Sequence, residues 1–289
     1  MAGSQGSEMA LAVAQAGGLG SIPAAMLSPQ QLGSELGIMQ AAKVPYNVNF
    51  FCHQPPLDQT AAMLAWQQRL QPYFDEYQLD TKSIPNTASR QPFSQATVDL
   101  IAPFCPPVVS FHFGLPKPDL LAQVKSWGSL VMSSATTLAE ALWLQQHGAD
   151  VVIAQGVEAG GHRGLFLSAD LSLQLPLAEL LSACLAHLSI PVIAAGGIGC
   201  PEQVQQVLAQ GAVAAQVGTT YLLCDECQSN GLQRHALANA KPGSTQLTNV
   251  FSGRPARGIR NLAMQDLGPM SGQVPAFPLA GNAMGLLRQ

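Results

Sequence analysis

Charge is scarce in this chain: only 10% of its 289 residues are Asp, Glu, Lys or Arg, and the formal net charge is -4. The 13 lysines and arginines are scattered. They form no basic footprint for nucleic acid and no patch for an anionic membrane surface. No apolar run approaches the ~18 residues of a membrane span. No charged start leads into an apolar stretch as in a signal peptide, so a cytoplasmic protein is expected. The six cysteines (52, 105, 184, 200, 224, 227) follow no regular spacing. Cys224-Asp225-Glu226-Cys227 is a lone C-x-x-C, whereas a closed structural zinc site takes four ligands. Free thiols in a reducing compartment are the better reading, and no metal is expected. H-E-x-x-H, G-x-S-x-G, the Walker A loop and a G-x-G-x-x-G after a strand are all missing. Their absence removes zinc-hydrolase, acyl-transfer, nucleotide-hydrolysis and NAD Rossmann readings.

What the chain does have is apolar mass, 47% of its residues. That balance suits a sheet buried on both faces, whose strands read as continuous apolar runs. Strand patterns lie at 44–49, 108–111, 130–133, 151–155, 191–195 and 214–217, with a weaker one at 19–22. Helical patterns lie at 8–16, 29–42, 118–127, 137–147, 177–187 and 201–210. Several stop at a glycine: Gly128, Gly148 and Gly211. Strand–helix alternation means parallel βαβ units, and a single-domain barrel of this kind often fills about 250 residues. The fold expected is a (β/α)8 TIM barrel of the α/β class in one domain, 1–289. A small helical insertion (about 55–90, with a helix around 60–70) follows its third strand, and an irregular C-terminal extension covers about 250–289. Eight strands close such a barrel. Seven are found here, and the missing first one is expected to precede Met1.

Barrel ligands bind where the strands end. Those ends read Asn47-Val48-Asn49, Ser110-Phe111-His112-Phe113-Gly114, Ser133-Ser134-Ala135-Thr136, residues 155–164, Ala195-Gly196-Gly197-Ile198 and Gln216-Val217-Gly218-Thr219-Thr220. Gly196-Gly197 and Gly218-Thr219 each end a strand before a helix, in the two loops where barrels usually hold phosphate. A phosphorylated cofactor or substrate is expected there. His162 sits among Gly156, Gly160, Gly161 and Gly164. A ring that titrates near neutrality on such a loop suits a base or electrostatic partner beside a flat cofactor. It suits a surface histidine on a glycine-rich turn equally well. His112 alternates with Phe111 and Phe113, which turns it either into the barrel mouth or among the helices. Glu158 and Arg163 are read as partners of each other or of neighbours, without a catalytic role.

At these residues the chain resembles the nitronate monooxygenase family, formerly 2-nitropropane dioxygenases, and within it the bacterial class I. The resemblance runs through Met1-Ala2-Gly3, Ala16-Gly17-Gly18-Leu19-Gly20, Tyr46-Asn47-Val48-Asn49 and Val109-Ser110-Phe111-His112-Phe113-Gly114. It continues in Gln155-Gly156-Val157-Glu158-Ala159-Gly160-Gly161-His162-Arg163-Gly164, in 191–198 and 216–219, and in Phe251-Ser252-Gly253-Arg254-Pro255-Ala256-Arg257-Gly258. It implies an FMN enzyme that oxidises alkyl nitronates, such as propionate 3-nitronate, with O2 to a carbonyl compound and nitrite. It also implies that His162 is the active-site histidine and that His112 lies close to the substrate. Asn49, Gln155, Gly160, Gly197, Gln216, Gly218 and Thr219 would contact FMN, with Met1 and Ala2 near its ring. Relative to the family the chain looks trimmed at both ends. Two other readings stand beside this one. One is an FMN-dependent NAD(P)H reductase of enoyl thioesters or quinones on the same scaffold. The other is an inactive, truncated flavin-binding remnant.

Overall fold

The computed structural model describes residues 3–85 and 90–288. Met1 and Ala2, expected beside the flavin ring, lie outside the described residues. In chain order the strands are β1 (Gly20–Pro23), β2 (Tyr46–Phe51), β3 (Val108–His112), β4 (Leu130–Ala135), β5 (Val151–Gln155), β6 (Gly161–His162), β7 (Val192–Ala195), β8 (Ala214–Gln216), β9 (Thr245–Thr248) and β10 (Ala256–Ile259). The helices are α1 (Ser7–Gln15), α2 (Pro29–Ala42), α3 (Thr60–Glu76), α4 (Gln95–Ile101), α5 (Pro118–Ser126), α6 (Leu138–Gln146), α7 (Leu177–His187), α8 (Pro201–Ala209), α9 (Gly231–Ala238), α10 (Leu262–Leu267) and α11 (Ala280–Leu286). The contacts cluster into two compact units.

The first unit comprises Met1–His53, Pro92–Gly160 and Gly164–Ala238. Its sheet has seven strands in the order β1-β2-β3-β4-β5-β7-β8, every pair parallel. With its helices this is the α/β arrangement of a TIM-barrel-like fold. All the strand patterns read from the sequence are present, including the weak one, which becomes β1. β1 and β8 are the edge strands among the described residues.

Alternation along each strand sorts its side chains. In β2, Tyr46, Val48 and Phe50 join Leu32, Leu36 and Met39 of α2 and Val98 and Ile101 of α4 in one outer core. In β5 and β7, Val152, Ala154, Val192 and Ala194 pack against Leu180, Leu181 and Cys184 of α7 and Val207 of α8 in a second. The opposite strand faces meet in a small inner cluster of Val108, Met132, Ile153 and Ala195, with Val151 and Ile193 against it. Asn47, Asn49, Ser110, His112 and Gln155 share that inner face by register. Gly128, Gly148 and Gly211 stop their helices at positive φ, as read.

The second unit comprises Gln54–Gln91, Gly161–Arg163 and Asn239–Gln289. The expected insertion and C-terminal extension therefore fall together. Trp66, Leu70 and Phe74 form an i, i+4, i+8 stripe on α3 and share a core with Val250, Leu267, Ala283 and Met284. That stripe carries α3 to Glu76, past Pro72, beyond the 60–70 helix read from sequence. Tyr73 Oη donates to Asp266 Oδ2 at 3.2 Å, and Asn282 Nδ2 to the Pro85 carbonyl at 2.8 Å. The extension is less irregular than expected: β6, β10 and β9 form an antiparallel sheet, followed by α10 and α11. Among the described residues no helix is long and apolar enough to cross a membrane.

Candidate active site

In the first unit the inner face is polar on one side. Asn47 Nδ2 donates to Ser21 Oγ and to Ser110 Oγ, each at 2.9 Å. Asn49 Nδ2 donates to the same Ser110 Oγ at 2.8 Å. Asn47 Oδ1 is buried and has no hydrogen-bond partner among the described residues. It is an acceptor awaiting an N–H or O–H donor, and leaving it without one costs on the order of 1–3 kcal/mol.

His112 lies on the face of Val108 and Ser110, so the alternation resolves towards the barrel interior. Its ring lies 4.5 Å from that of Phe113 and 5.9 Å from that of Phe51. Phe113 has φ +71° and Gly114 +93°, so the chain turns sharply just after this histidine. A left-handed non-glycine residue of this size carries strain.

Gln155 Oε1 accepts from the Gly164 N–H at 2.8 Å, which clasps the two ends of the glycine-rich loop. A Cβ at Gly164 would lie 2.9 Å from His112 Cε1 and 3.2 Å from Ser134 Cβ, so glycine lets this backbone lie against the ends of β3 and β4. The Glu158 carboxylate accepts from the Leu177 N–H at 3.0 and 3.1 Å, at the start of α7.

The loops after β5, β7 and β8 converge. A Cβ at Gly197 (φ +68°) would lie 3.0 Å from Glu158 Cβ, one at Gly196 (φ +123°) 3.0 Å from the Ala159 N, and one at Gly160 3.0 Å from Thr219 Oγ1. Gly218 precedes the short helical turn Thr219–Leu223, and Gln216 ends β8, exposed.

In the second unit, His162 belongs to β6 and pairs with Ala256 of β10. Its Nε2 lies 2.8 Å from Ser252 Oγ, and its ring meets Phe277 edge-on at 5.5 Å. Ser252 is 4% exposed, and its hydroxyl donates to the Arg254 carbonyl at 3.3 Å. The Ser252 hydroxyl thus lies between the His162 ring and the Arg254 carbonyl. The Arg90 guanidinium lies 5.8 Å over the Phe277 ring; burial first, and then the Arg288 charge, pull its pKa down. Arg163 is fully buried, and its N–H donates to the Pro255 carbonyl at 2.8 Å.

A family model for nitronate monooxygenase matches residues 1–289. The chain belongs to the nitronate monooxygenase family. The probable nitronate monooxygenase of Staphylococcus saprophyticus is 34% identical over 295 residues, covering 100% of this chain and 82% of that protein. The nitronate monooxygenase of Pseudomonas aeruginosa is 36% identical over 287 residues, covering 97% and 81%. Among solved structures, a nitroalkane oxidase from Streptomyces ansochromogenes superposes with a TM-score of 0.89 at 36% identity, covering 100% of this chain and 82% of that one.

Nitronate monooxygenases are flavin-dependent oxidoreductases. The first unit fits such a group on two counts. A Cβ at Gly160, Gly196 or Gly197 would intrude on the neighbouring loop while Gly218 has open space, and Asn47 offers a buried acceptor on the inner face. Among the described residues no cluster of His, Cys, Asp or Glu could hold a metal ion. Cys224 and Cys227 are free thiols, and the Cys227 thiol donates to the Ser4 carbonyl at 2.9 Å.

Sequence reading missed Ser252, Asn47 and Ser110 as neighbours of the candidate residues, and Glu140 altogether. Ser252 was visible only as part of the family-like segment. Glu140 carried a signal, because Thr137-x-x-Glu140 has the spacing of a helix capping box.

Proposed function

We propose that this member of the nitronate monooxygenase family oxidises alkyl nitronates, propionate 3-nitronate among them, with O2 to a carbonyl compound and nitrite, using FMN. The observation that carries this reading is the family match along the whole chain, joined to a His162 whose ring is held by Ser252 and Phe277. When bound, FMN supplies the electron-accepting ring and the electron route to O2. The glycine loops at Gly160, Gly197 and Gly218, with Thr219, would hold its phosphate through backbone N–H groups. Asn49, Gln155 and Gln216 would contact the flavin, and His112 would lie close to the substrate.

His162 handles the anion. Ser252 and Phe277 hold its ring in place. Protonated, the ring attracts and orients the nitronate oxygens. Neutral, it removes the α-proton of a nitroalkane and delivers the nitronate. The free cysteines accord with a cytoplasmic enzyme.

The test is nitrite release and O2 uptake on adding propionate 3-nitronate to the yellow, flavin-loaded protein. His162→Asn is expected to lose most turnover while keeping its flavin absorbance. Full activity in that variant would remove His162 from the chemistry. Flavin bleaching by NADH, with no nitrite from nitronate, would instead make the protein a reductase on the same scaffold.

A further inference from the structure

The carboxylate of Glu140 is 2% exposed and makes no ion pair among the described residues. Glu140 is the third residue of α6, and its N–H donates to the cap hydroxyl of Thr137 at 3.2 Å, half of a capping box. In the usual box the acidic side chain turns back to its own helix start. Here only one oxygen does so: Oε2 accepts from the Thr136 N–H and from Thr136 Oγ1, each at 2.7 Å. The other, Oε1, accepts from the N–H groups of Phe166 and Leu167, at 2.6 and 3.2 Å. Four donors occupy both oxygens, which fills the capacity of an ionised carboxylate. Hydrogen bonds to a charged acceptor are roughly twice as strong as neutral ones.

Residues 166 and 167 lie two and three positions beyond Gly164, the end of the glycine-rich loop. Gly164 is held by Gln155, the Phe166 ring meets Trp143 of α6 edge-on at 5.2 Å, and Gly114 sits close under Phe166. His162 is two residues upstream of Gly164. We infer that Glu140 is a positioning residue: a helix-capping carboxylate that also anchors the downstream root of the loop bearing His162. Both of its oxygens are taken by protein donors, so it acts through the loop backbone. Its effect on turnover rests on the nitronate oxidation proposed above, whereas its hold on the loop does not.

Amide hydrogen exchange, resolved by mass spectrometry on the flavin-loaded full chain, separates the two. In the parent protein, amides 166 and 167 are expected to be as protected as those of β5. If they exchange like an open loop, the anchor is refuted without any variant. Glu140→Gln keeps the shape but turns an amide N–H2 towards two of the four donors. Exchange over 165–168 is then expected to rise on the order of tenfold or more, with β5 and β7 unchanged. Nitronate kcat/KM should fall at least tenfold in the same variant, with flavin retained. Thr136→Val removes one donor from Oε2 and neither loop N–H, so it should leave 165–168 protected. Equal loosening in Thr136→Val, or a rise spread over β5 and β7, would overturn the assignment by showing general softening. A loosened loop with unchanged kcat/KM would refute the positioning role. A parent protein that turns over no nitronate would sink the proposed function and leave the exchange result to decide the anchor.

Discussion

Replacing Gly253 by alanine tests whether the backbone around His162 is built as described. Gly253 has φ +86°, and a Cβ there would lie 2.2 Å from the Pro275 carbonyl oxygen, 2.6 Å from the Phe277 N and 2.8 Å from the Ala276 carbonyl carbon. Two costs add. The left-handed conformation takes about 1–2 kcal/mol from any residue with a Cβ. Overpacking against atoms that cannot swing aside takes about 1–3 kcal/mol more. The sum, roughly 2–5 kcal/mol, corresponds to a melting shift of roughly 4–20 °C for a chain of this size. The damage is also local to function, because Ser252 precedes this residue and Phe277 is the ring against which His162 packs. Nitronate turnover should therefore fall even at temperatures where the variant is folded. Gly272→Ala is the matched control: it lies in the same unit, with no atom within 4 Å of its added Cβ. Its effect is expected within about 0.5 kcal/mol. Thermal unfolding followed by circular dichroism, with nitrite release at 20–25 °C, reads both. If Gly253→Ala melts with Gly272→Ala and keeps full turnover, the close approach of residue 253 to the Pro275–Phe277 backbone is wrong.

Ser252→Ala removes the hydrogen-bond partner of His162 Nε2, a contact of about 1 kcal/mol, so kcat/KM for nitronate should fall roughly fivefold with flavin content unchanged. Parent-level kinetics would dismiss the serine. Gly197→Ala forces a side chain into φ +68° and to 3.0 Å from Glu158 Cβ; less flavin should survive gel filtration, and an unchanged flavin-to-protein ratio would count against the phosphate site. Burial pushes the Cys184 thiol up to about 11, whereas Cys105 and Cys200 are exposed. Iodoacetamide at pH 8 should label those two first; labelling of Cys184 at the same rate would contradict its packing. The raised value means the unfolded chain ionises first, so this contribution to stability is complete below pH 9 and is lost as pH rises through 11. Cys184→Ala should flatten that alkaline decline, and an unchanged slope would place its cause elsewhere.

The parallel sheet was legible because each of its strands is a short apolar run closed by small or polar residues, so that β5 and β7 stand out from their neighbours. Even β1 showed, though only four residues long. The glycine-rich loop stood out because so many glycines in one window are unusual, whereas composition left His162 open between a base and a surface histidine. Other features are set by partners far away in sequence. The helix read at 60–70 stopped short because Pro72 argues against continuing it. What carries it on is the fit of Phe74 among Val250, Leu267 and Met284, which no local window contains. Residues 256–259 looked irregular with their Arg-Gly pattern, yet they form a strand because Thr245–Thr248 on one side and Gly161–His162 on the other supply its hydrogen bonds. Likewise a capping-box glutamate is visible in sequence, but the destination of its second oxygen is not.

Ser110 accepts from two asparagines at once, and this has an evolutionary consequence. Asn47 and Asn49 share one hydroxyl, so the effect of changing either depends on what stands at 110 and on whether the other amide is still there to claim it. Such a trio is epistatic: single substitutions are penalised, while a concerted replacement can be close to neutral. Drift at this inner wall should therefore proceed in linked steps. Saturation libraries that vary positions 47, 49 and 110 together should yield functional combinations that no sequence of individually tolerated changes would reach.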